Sequence, residues 1–241
     1  PKVVGEPEST TLPELPDLFE QEEVMLAAAR LVGGGSVAPG PLLTLEQLTR
    51  VVPNAGGSYG VRPTPGTVDP ARPCFVWQPE TMQSLWRTLA QSKCPTLRLA
   101  SRRFLDAGRR FRDEDALLDL AIAAETLFVG SGRSELTYRV ALNGSLAVPV
   151  VDRTPVEVRS FLKSVYDARS RIVHGDGKAK FRRLDGSHAG IKEAVADLEA
   201  FMAAAIRTFA SAEETGSPID VDALVDQKLL AAEWSDDPDE R

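Results

Sequence analysis

Cysteine and histidine are both scarce in this sequence. Its 241 residues include two cysteines, Cys74 and Cys94, and two histidines, His174 and His188. Two cysteines do not make a disulfide framework, and we expect both to be reduced thiols. A metal site needs several His, Cys or carboxylate ligands at suitable spacing, and neither cysteine has such neighbours in the sequence. The sequence therefore predicts neither a disulfide-stabilised fold nor a metal cofactor.

Several other signatures are missing. No run of residues approaches the ~18 apolar residues of a membrane span, and no charged and apolar leader opens the chain. The sequence has no P-loop, no dinucleotide-binding fingerprint and no nucleophile elbow. These absences predict a cytoplasmic protein with no membrane association and no cofactor. The sequence begins at Pro1 and not at Met, which suggests a fragment or a processed product.

Charge is unevenly distributed along the chain. The net charge is −7 at pH 7, with 35 Asp and Glu against 28 Lys and Arg. The stretch from Lys93 to Arg183 nevertheless holds 18 Lys and Arg and only 11 Asp and Glu. The negative total argues against a general nucleic-acid coat, whereas a basic middle region can bind an anion locally. The alternative is that these charges only solvate exposed helix faces.

Glycine, proline and helical periodicity divide the chain into three parts. In residues 1–75 only LFEQEEVMLAAARLV and TLEQLTRVV have helical character, and the segments around them are dense in Gly and Pro. This part is interpreted as an irregular N-terminal segment, or the remnant of an upstream domain, followed by a linker. Residues 76–232 are predicted to form a helical domain, and residues 233–241 an acidic C-terminal tail.

The central part predicts an all-α helical bundle. Its apolar residues recur at helical spacing, and no stretch alternates convincingly as a strand. Thr154-Pro155-Val156-Glu157 is typical of a capping box with proline at the first helical position. The predicted helices are 79–91, 95–111, 114–129, 134–147, 155–174 and 188–211, with a shorter one near 220–232.

Charged residues interrupt the apolar faces of these helices. Arg169 falls in the middle of an apolar stripe on the 155–174 helix, formed by Val158, Phe161, Leu162, Val165, Ile172 and Val173. Glu125 lies in a nearly all-apolar helix, and Arg139 lies beside apolar residues in the next. Because an unpaired buried charge is costly, we expect Glu125 to pair with Arg139 or with Arg169. Otherwise Arg169 lies in a wet cleft or an interface, or extends its charged end to water.

His174 is predicted at the C-terminal end of the same helix, within YDARSRIVHG. The helix dipole favours a positive charge there, so the simplest interpretation is a histidine that stabilises the helix end. Histidine is also the side chain best suited to proton transfer near neutral pH. Arg169 and His174 lie about 140° apart around an ideal helix, so one rigid helix does not aim both at one target. Fraying at Gly175, or a second copy of the helix across a dimer axis, would bring them together.

The segment RSRIVH, from Arg169 to His174, resembles the motif of the HEPN superfamily, in which an arginine and a histidine are separated by a few residues. Its setting is similar to the Apea-like HEPN group. RLASRRFLDAGRRFRDEDALLDLAIAAETLF and SELTYRVAL precede the long helix that carries VYDARSRIVHG. The resemblance covers roughly residues 80–230 and leaves the first 75 residues unassigned.

The resemblance implies a HEPN-like bundle that forms a homodimer, in which two motifs meet in a cleft and cleave RNA without a metal. It implies that His174 transfers a proton at the 2′-OH or at the leaving 5′-oxygen, while Arg169 stabilises negative charge on the phosphorus centre. The residues expected to support them are Ser170, Arg171, Glu125 and Arg139. The function that follows is an endoribonuclease of the toxin or anti-phage defence kind.

The residue after the motif arginine departs from the common pattern. Active HEPN nucleases commonly have Asn, Asp or His there, and this chain has Ser170. A second interpretation is therefore a non-catalytic HEPN module that mediates dimerisation or binds a nucleotide or a partner protein. A purely structural helical scaffold is a third, in which Arg169 and His174 have no chemical role.

Overall fold

The computed structural model describes residues 15–34, 78–129, 135–174 and 181–233. Within these ranges the chain is mostly helical, which confirms the all-α prediction. The helices are α1 (Leu15–Gly33), α2 (Pro79–Gln91), α3 (Pro95–Ala107), α4 (Asp113–Phe128), α5 (Leu136–Ala147), α6 (Pro155–Val173), α7 (Ile191–Glu214) and α8 (Val221–Glu233). Two short strands, β1 (Phe181–Arg182) and β2 (His188–Ala189), separate α6 from α7. No helix in the described ranges is long and apolar enough to cross a membrane.

The predicted helices after residue 78 are all present, and their ends differ by a few residues. The largest corrections are at α3, which ends at Ala107 rather than at 111, and at α7, which begins at Ile191 rather than at 188. Residues 188–189 instead pair with 181–182 as an antiparallel ladder. Strands of two residues are too short to show alternation in a sequence, so this hairpin was not predicted. The stretch TLEQLTRVV lies outside the described residues.

The start of α6 has the capping box that its sequence predicts. The Thr154 hydroxyl accepts the backbone N–H of Glu157 at 3.3 Å, and the Glu157 carboxylate accepts the backbone N–H of Thr154 at 2.7 Å. Pro155 occupies the first helical position, where its missing N–H costs no hydrogen bond. These local bonds fix the first turn of the helix that carries the RSRIVH motif at its other end.

The helices share one main core of buried apolar side chains. Phe128 of α4 lies at its centre, with ring centroids 6.0 Å from Phe201 and 6.1 Å from Phe209 of α7. Helices α5 and α6 approach each other closely at Gly144, where an added Cβ would lie 2.8 Å from a methyl carbon of Leu162. A larger residue at 144 would force a buried leucine to move, and overpacking of this kind typically costs about 1–3 kcal/mol.

Helix α1 packs in the same body as the helices that follow residue 78. Ala28 and Leu31 belong to the main core cluster, and Arg207 of α7 donates a hydrogen bond to the carbonyl oxygen of Leu31. The sequence analysis assigned this stretch to the N-terminal segment, and in the structure α1 contacts α2, α3 and α7. The density of Gly and Pro after α1 marks a connection in the sequence, but it does not decide where the helix packs.

A buried ion pair joins α1 to α7. The side chain of Arg30 is 2% exposed, and its guanidinium lies 3.0 Å from a carboxylate oxygen of Glu199. The guanidinium carbon also lies 4.2 Å from the ring centroid of Phe104 on α3. Gly108 leaves room for this arrangement, because a Cβ there would lie 2.3 Å from Nε of Arg30. One charged side chain of α1 therefore contacts two other helices inside the molecule.

Candidate functional site

The C-terminal end of α6 carries four of the predicted site residues. Ser170, Arg171 and His174 are exposed, and Arg169 is half-buried. The helix ends at Val173, and the backbone N–H of His174 donates to the carbonyl oxygen of Ser170 at 3.2 Å. His174 therefore caps the helix through its backbone, and its imidazole faces solvent.

The apolar stripe predicted on α6 is correct except at Val173. Val158, Phe161, Leu162 and Val165 are buried, whereas the side chain of Val173 is 62% exposed. Ile172 in the same last turn is partly buried and packs against the core, so only Val173 departs from the predicted stripe. The motif thus lies where a substrate or a second protein can reach it.

Glu125 of α4 pairs with Arg169 of α6. The distance from Nη1 of Arg169 to Oε1 of Glu125 is 3.0 Å, and the two side chains are 30% and 20% exposed. Of the two partners that the sequence left open for Glu125, the structure selects Arg169. The prediction that α4 and α6 contact each other is also confirmed by this pair.

Arg139 does not join this pair. Its Nη2 lies 2.9 Å from a carboxylate oxygen of Asp222 on α8. The same two helices are joined again by Lys228, whose ammonium donates to the carbonyl oxygen of Leu146 on α5. Because α8 lies along α5, the carboxylate of Asp222 can oppose the positive charge of Arg139. In the structure, Arg139 joins α5 to α8.

The Glu125–Arg169 pair is close, but it is not aligned as a hydrogen bond. Oε1 of Glu125 and Nε of Arg169 are both buried, and neither has a hydrogen-bond partner among the described residues. The separation of 3.0 Å satisfies an ion pair, while the N–H direction does not satisfy a hydrogen bond. Coulomb attraction holds the two groups together without using all the donors of the guanidinium.

Tyr166 is a site residue that the sequence reasoning missed. It is buried, and its hydroxyl donates a hydrogen bond of 2.8 Å to the carbonyl oxygen of Ala121 on α4. Its ring centroid lies 5.8 Å from the guanidinium carbon of Arg169. Burial raises the pKa of the Tyr166 hydroxyl well above its usual value, and the negative charge of Glu125 raises it further. The hydroxyl therefore stays protonated and remains a donor.

The sequence carried a signal for Tyr166. It lies three residues before Arg169 and therefore on the same side of α6. A tyrosine in an apolar stripe needs a partner for its hydroxyl when it is buried. Together these two features indicate that Tyr166 lies beside Arg169 on the face of α6 that packs against α4.

The geometry allows two kinds of chemistry at the end of α6. Arg169 and Arg171 can attract an anion, and the exposed imidazole of His174 can exchange protons near neutral pH. His174 lies five positions after Arg169, which is about 7.5 Å along an ideal helix and about 140° around it. Within the described ranges, no three His, Cys, Asp or Glu residues are grouped as metal ligands.

Comparison with known proteins adds no relative. None of the family models, the curated proteins or the solved structures matches this chain. The HEPN resemblance consequently remains an expectation from the motif and its setting. The candidate site is defined by the positions of its own residues.

Proposed function

We propose that this protein is a metal-independent RNA endonuclease with a HEPN-like site, of the toxin or anti-phage defence kind. The observation that supports it best is the exposed end of α6, where Arg169 lies beside Glu125 and His174 stands at the helix C-terminus. When the substrate supplies its own nucleophile, phosphodiester cleavage needs proton transfer and stabilisation of negative charge, which a histidine and an arginine can provide.

RNA carries that nucleophile as its 2′-OH. In the proposed reaction the 2′-oxygen attacks the adjacent phosphorus and loses its proton, and the bond from phosphorus to the 5′-oxygen breaks. His174 as the neutral imidazole accepts the proton of the 2′-OH, and the imidazolium so formed, or that of the second copy, donates a proton to the leaving 5′-oxygen. Arg169 stabilises the negative charge on the non-bridging oxygens through charge-assisted hydrogen bonds. The products are a 2′,3′-cyclic phosphate and a 5′-hydroxyl, and the balance requires no metal and no other reactant.

A homodimer would bring the two groups to one phosphate. Because Arg169 and His174 point about 140° apart on a single helix, the proposed active unit combines residues from two copies of α6. A two-fold axis near the end of α6 places both motifs in one cleft, since an isologous interface repeats every contact. The exposed side chain of Val173 supplies apolar surface at this position.

We expect the protein to be a dimer at micromolar concentration. Light scattering on the whole chain should give twice the mass of 26.1 kDa that the sequence predicts. A stable monomer that still cleaves RNA would contradict the composite site, because one helix would then suffice for the reaction.

Cleavage itself should survive chelation of divalent metals. The purified protein is incubated with total RNA in excess EDTA, and the ends of the products are identified. We expect 2′,3′-cyclic phosphate and 5′-hydroxyl ends, and no cleavage of an oligonucleotide of the same sequence with 2′-deoxyribose throughout. Loss of activity in EDTA, or cleavage of the deoxy substrate, would reject the proposed mechanism.

One observation favours the alternative of a non-catalytic HEPN module. The charge of Arg169 is already opposed by Glu125 in the single chain, as expected for a pair that joins two helices. Such a module would form the same dimer, or bind a nucleotide or a partner protein, without cutting RNA. A protein that binds RNA or a nucleotide in EDTA and leaves total RNA intact would support this second function.

A further inference from the structure

Two arginine–carboxylate pairs of this protein have different geometries. Arg183 forms a fork with Asp197, in which Nε donates to Oδ2 at 2.8 Å and Nη2 donates to Oδ1 at 2.8 Å. Arg169 makes a single approach to Glu125, and its Nε has no hydrogen-bond partner among the described residues. Two parallel hydrogen bonds are the strongest way to join two elements through a guanidinium. The Arg183 pair has the geometry of a structural fork, and the Arg169 pair does not.

The guanidinium of Arg169 thus has N–H groups that donate no hydrogen bond to any described residue. Glu125 opposes its charge at one terminal nitrogen, and the side chain is still 30% exposed. Nε itself is buried, so an anion can reach this guanidinium only at its terminal nitrogens, and these can donate to the non-bridging oxygens of a phosphodiester. The unused donors are what distinguishes this arginine from one that only joins helices.

Tyr166 joins the backbone of α4 to α6 beside the Glu125–Arg169 pair. Its hydroxyl bonds to Ala121, one turn before Glu125 on α4, and Tyr166 itself lies one turn before Arg169 on α6. The hydrogen bond therefore joins the two helices beside the ion pair. Because the tyrosine is buried, its ring also limits the space in which the arginine side chain can move.

We infer that Glu125 and Tyr166 are positioning residues, which hold Arg169 so that the exposed terminal nitrogens of its guanidinium face an RNA phosphodiester. This inference rests on the proposed function. Glu125 restrains one terminal nitrogen by charge, and Tyr166 holds α6 against α4. Neither residue contacts the substrate. Arg169 needs both, because it approaches the surface from inside an apolar stripe and no other described residue bonds to its guanidinium.

Replacing Glu125 by Gln has two opposite consequences at the site. The restraint on Arg169 is lost, so that it spends less time in the productive geometry, and small misplacements of a reacting group can cost on the order of 100-fold in rate. A negative charge beside the phosphate site is also lost, which favours binding of RNA. We therefore expect kcat for E125Q to fall by about 10- to 100-fold while KM stays constant or decreases. Misfolding alone would lower the active fraction and leave KM unchanged. The kcat of each variant is therefore calculated per folded molecule.

Two further variants test orientation separately from charge. E125D keeps the negative charge but moves it away from Arg169 by one methylene, and its kcat should also fall. Y166F removes the hydrogen bond to Ala121, whose carbonyl oxygen still lies within α4, and we expect a smaller decrease in kcat. D197N removes the carboxylate of the Arg183 fork and serves as the matched control. It should lower the melting temperature without changing kcat of the folded fraction.

The experiment measures steady-state cleavage of a fluorophore-labelled single-stranded RNA pool in EDTA, with the folded fraction of each variant determined by circular dichroism. H174A is assayed beside the other variants. If H174A is inactive and both Glu125 variants keep the wild-type kcat, the positioning inference is overturned and the nuclease proposal stands. If the wild-type protein is inactive, or H174A is fully active, the nuclease proposal fails and the inference fails with it. A fall in kcat for E125Q and E125D, without one for D197N, supports the inference.

Discussion

Replacing His174 by alanine should reduce RNA cleavage by about 10²–10⁴-fold, the usual contribution of a group that transfers protons. The fold should be unchanged, because the imidazole is exposed and the helix end is capped by the backbone N–H of the same residue. Substitutions at exposed positions generally change stability by less than about 0.5 kcal/mol. Initial rates on RNA in EDTA and thermal unfolding curves are the two measurements needed.

His188 offers a matched control for this experiment. It is the other histidine of the chain, it is exposed, and it lies on β2 and not on α6. H188A should therefore cleave RNA at the wild-type rate. R169K extends the test to the arginine, because an ammonium keeps the charge but cannot form a bidentate fork. An H174A protein as active as the wild type would reject the assignment of this site.

Replacing Glu199 by alanine should destabilise the protein by about 3–5 kcal/mol, since it removes a carboxylate that opposes the buried charge of Arg30. The guanidinium is enclosed by Phe104 and by the backbone at Gly108, and it cannot easily move to water. For a protein of this size the loss corresponds to a fall in melting temperature of about 10 °C. Denaturant unfolding followed by circular dichroism measures it directly.

The ion pair between Arg98 and Glu20 provides the comparison. It also joins α1 to another helix, but both side chains are about half exposed. Glu20→Ala should therefore cost no more than about 1 kcal/mol. The double variant with Arg30→Met and Glu199→Leu should recover much of the stability lost in Glu199→Ala, because an apolar pair often replaces a buried ion pair without loss. Equal stability of the Glu199→Ala and wild-type proteins would show that the pair does not hold α1 in place.

Sequence alone was sufficient for the features that depend on neighbours along the chain. Helical periodicity located the helices after residue 78, and the capping box at Thr154 and Glu157 marked the start of α6. His174 was also placed correctly at the end of that helix. These features follow from hydrogen bonds and side-chain spacing within three or four residues, which a sequence displays directly. The motif and the candidate residues on α6 were therefore available without a structure.

Only the tertiary structure decided which distant residues meet. It paired Glu125 with Arg169, gave Arg139 to Asp222, and placed Tyr166 against the backbone of α4. A carboxylate satisfies whichever cation the packing brings within about 4 Å, and sequence spacing does not specify which helices pack together.

The docking of α1 and the exposure of Val173 were likewise decided by packing. α1 joins the core because α2, α3 and α7 cover its apolar face, although a long connection separates it from them in sequence. Val173 continues the apolar pattern of α6, yet its side chain is 62% exposed, while Ile172 beside it packs against the core. Periodicity shows which residues share a helix face, and the length and position of neighbouring helices determine how much of that face is buried.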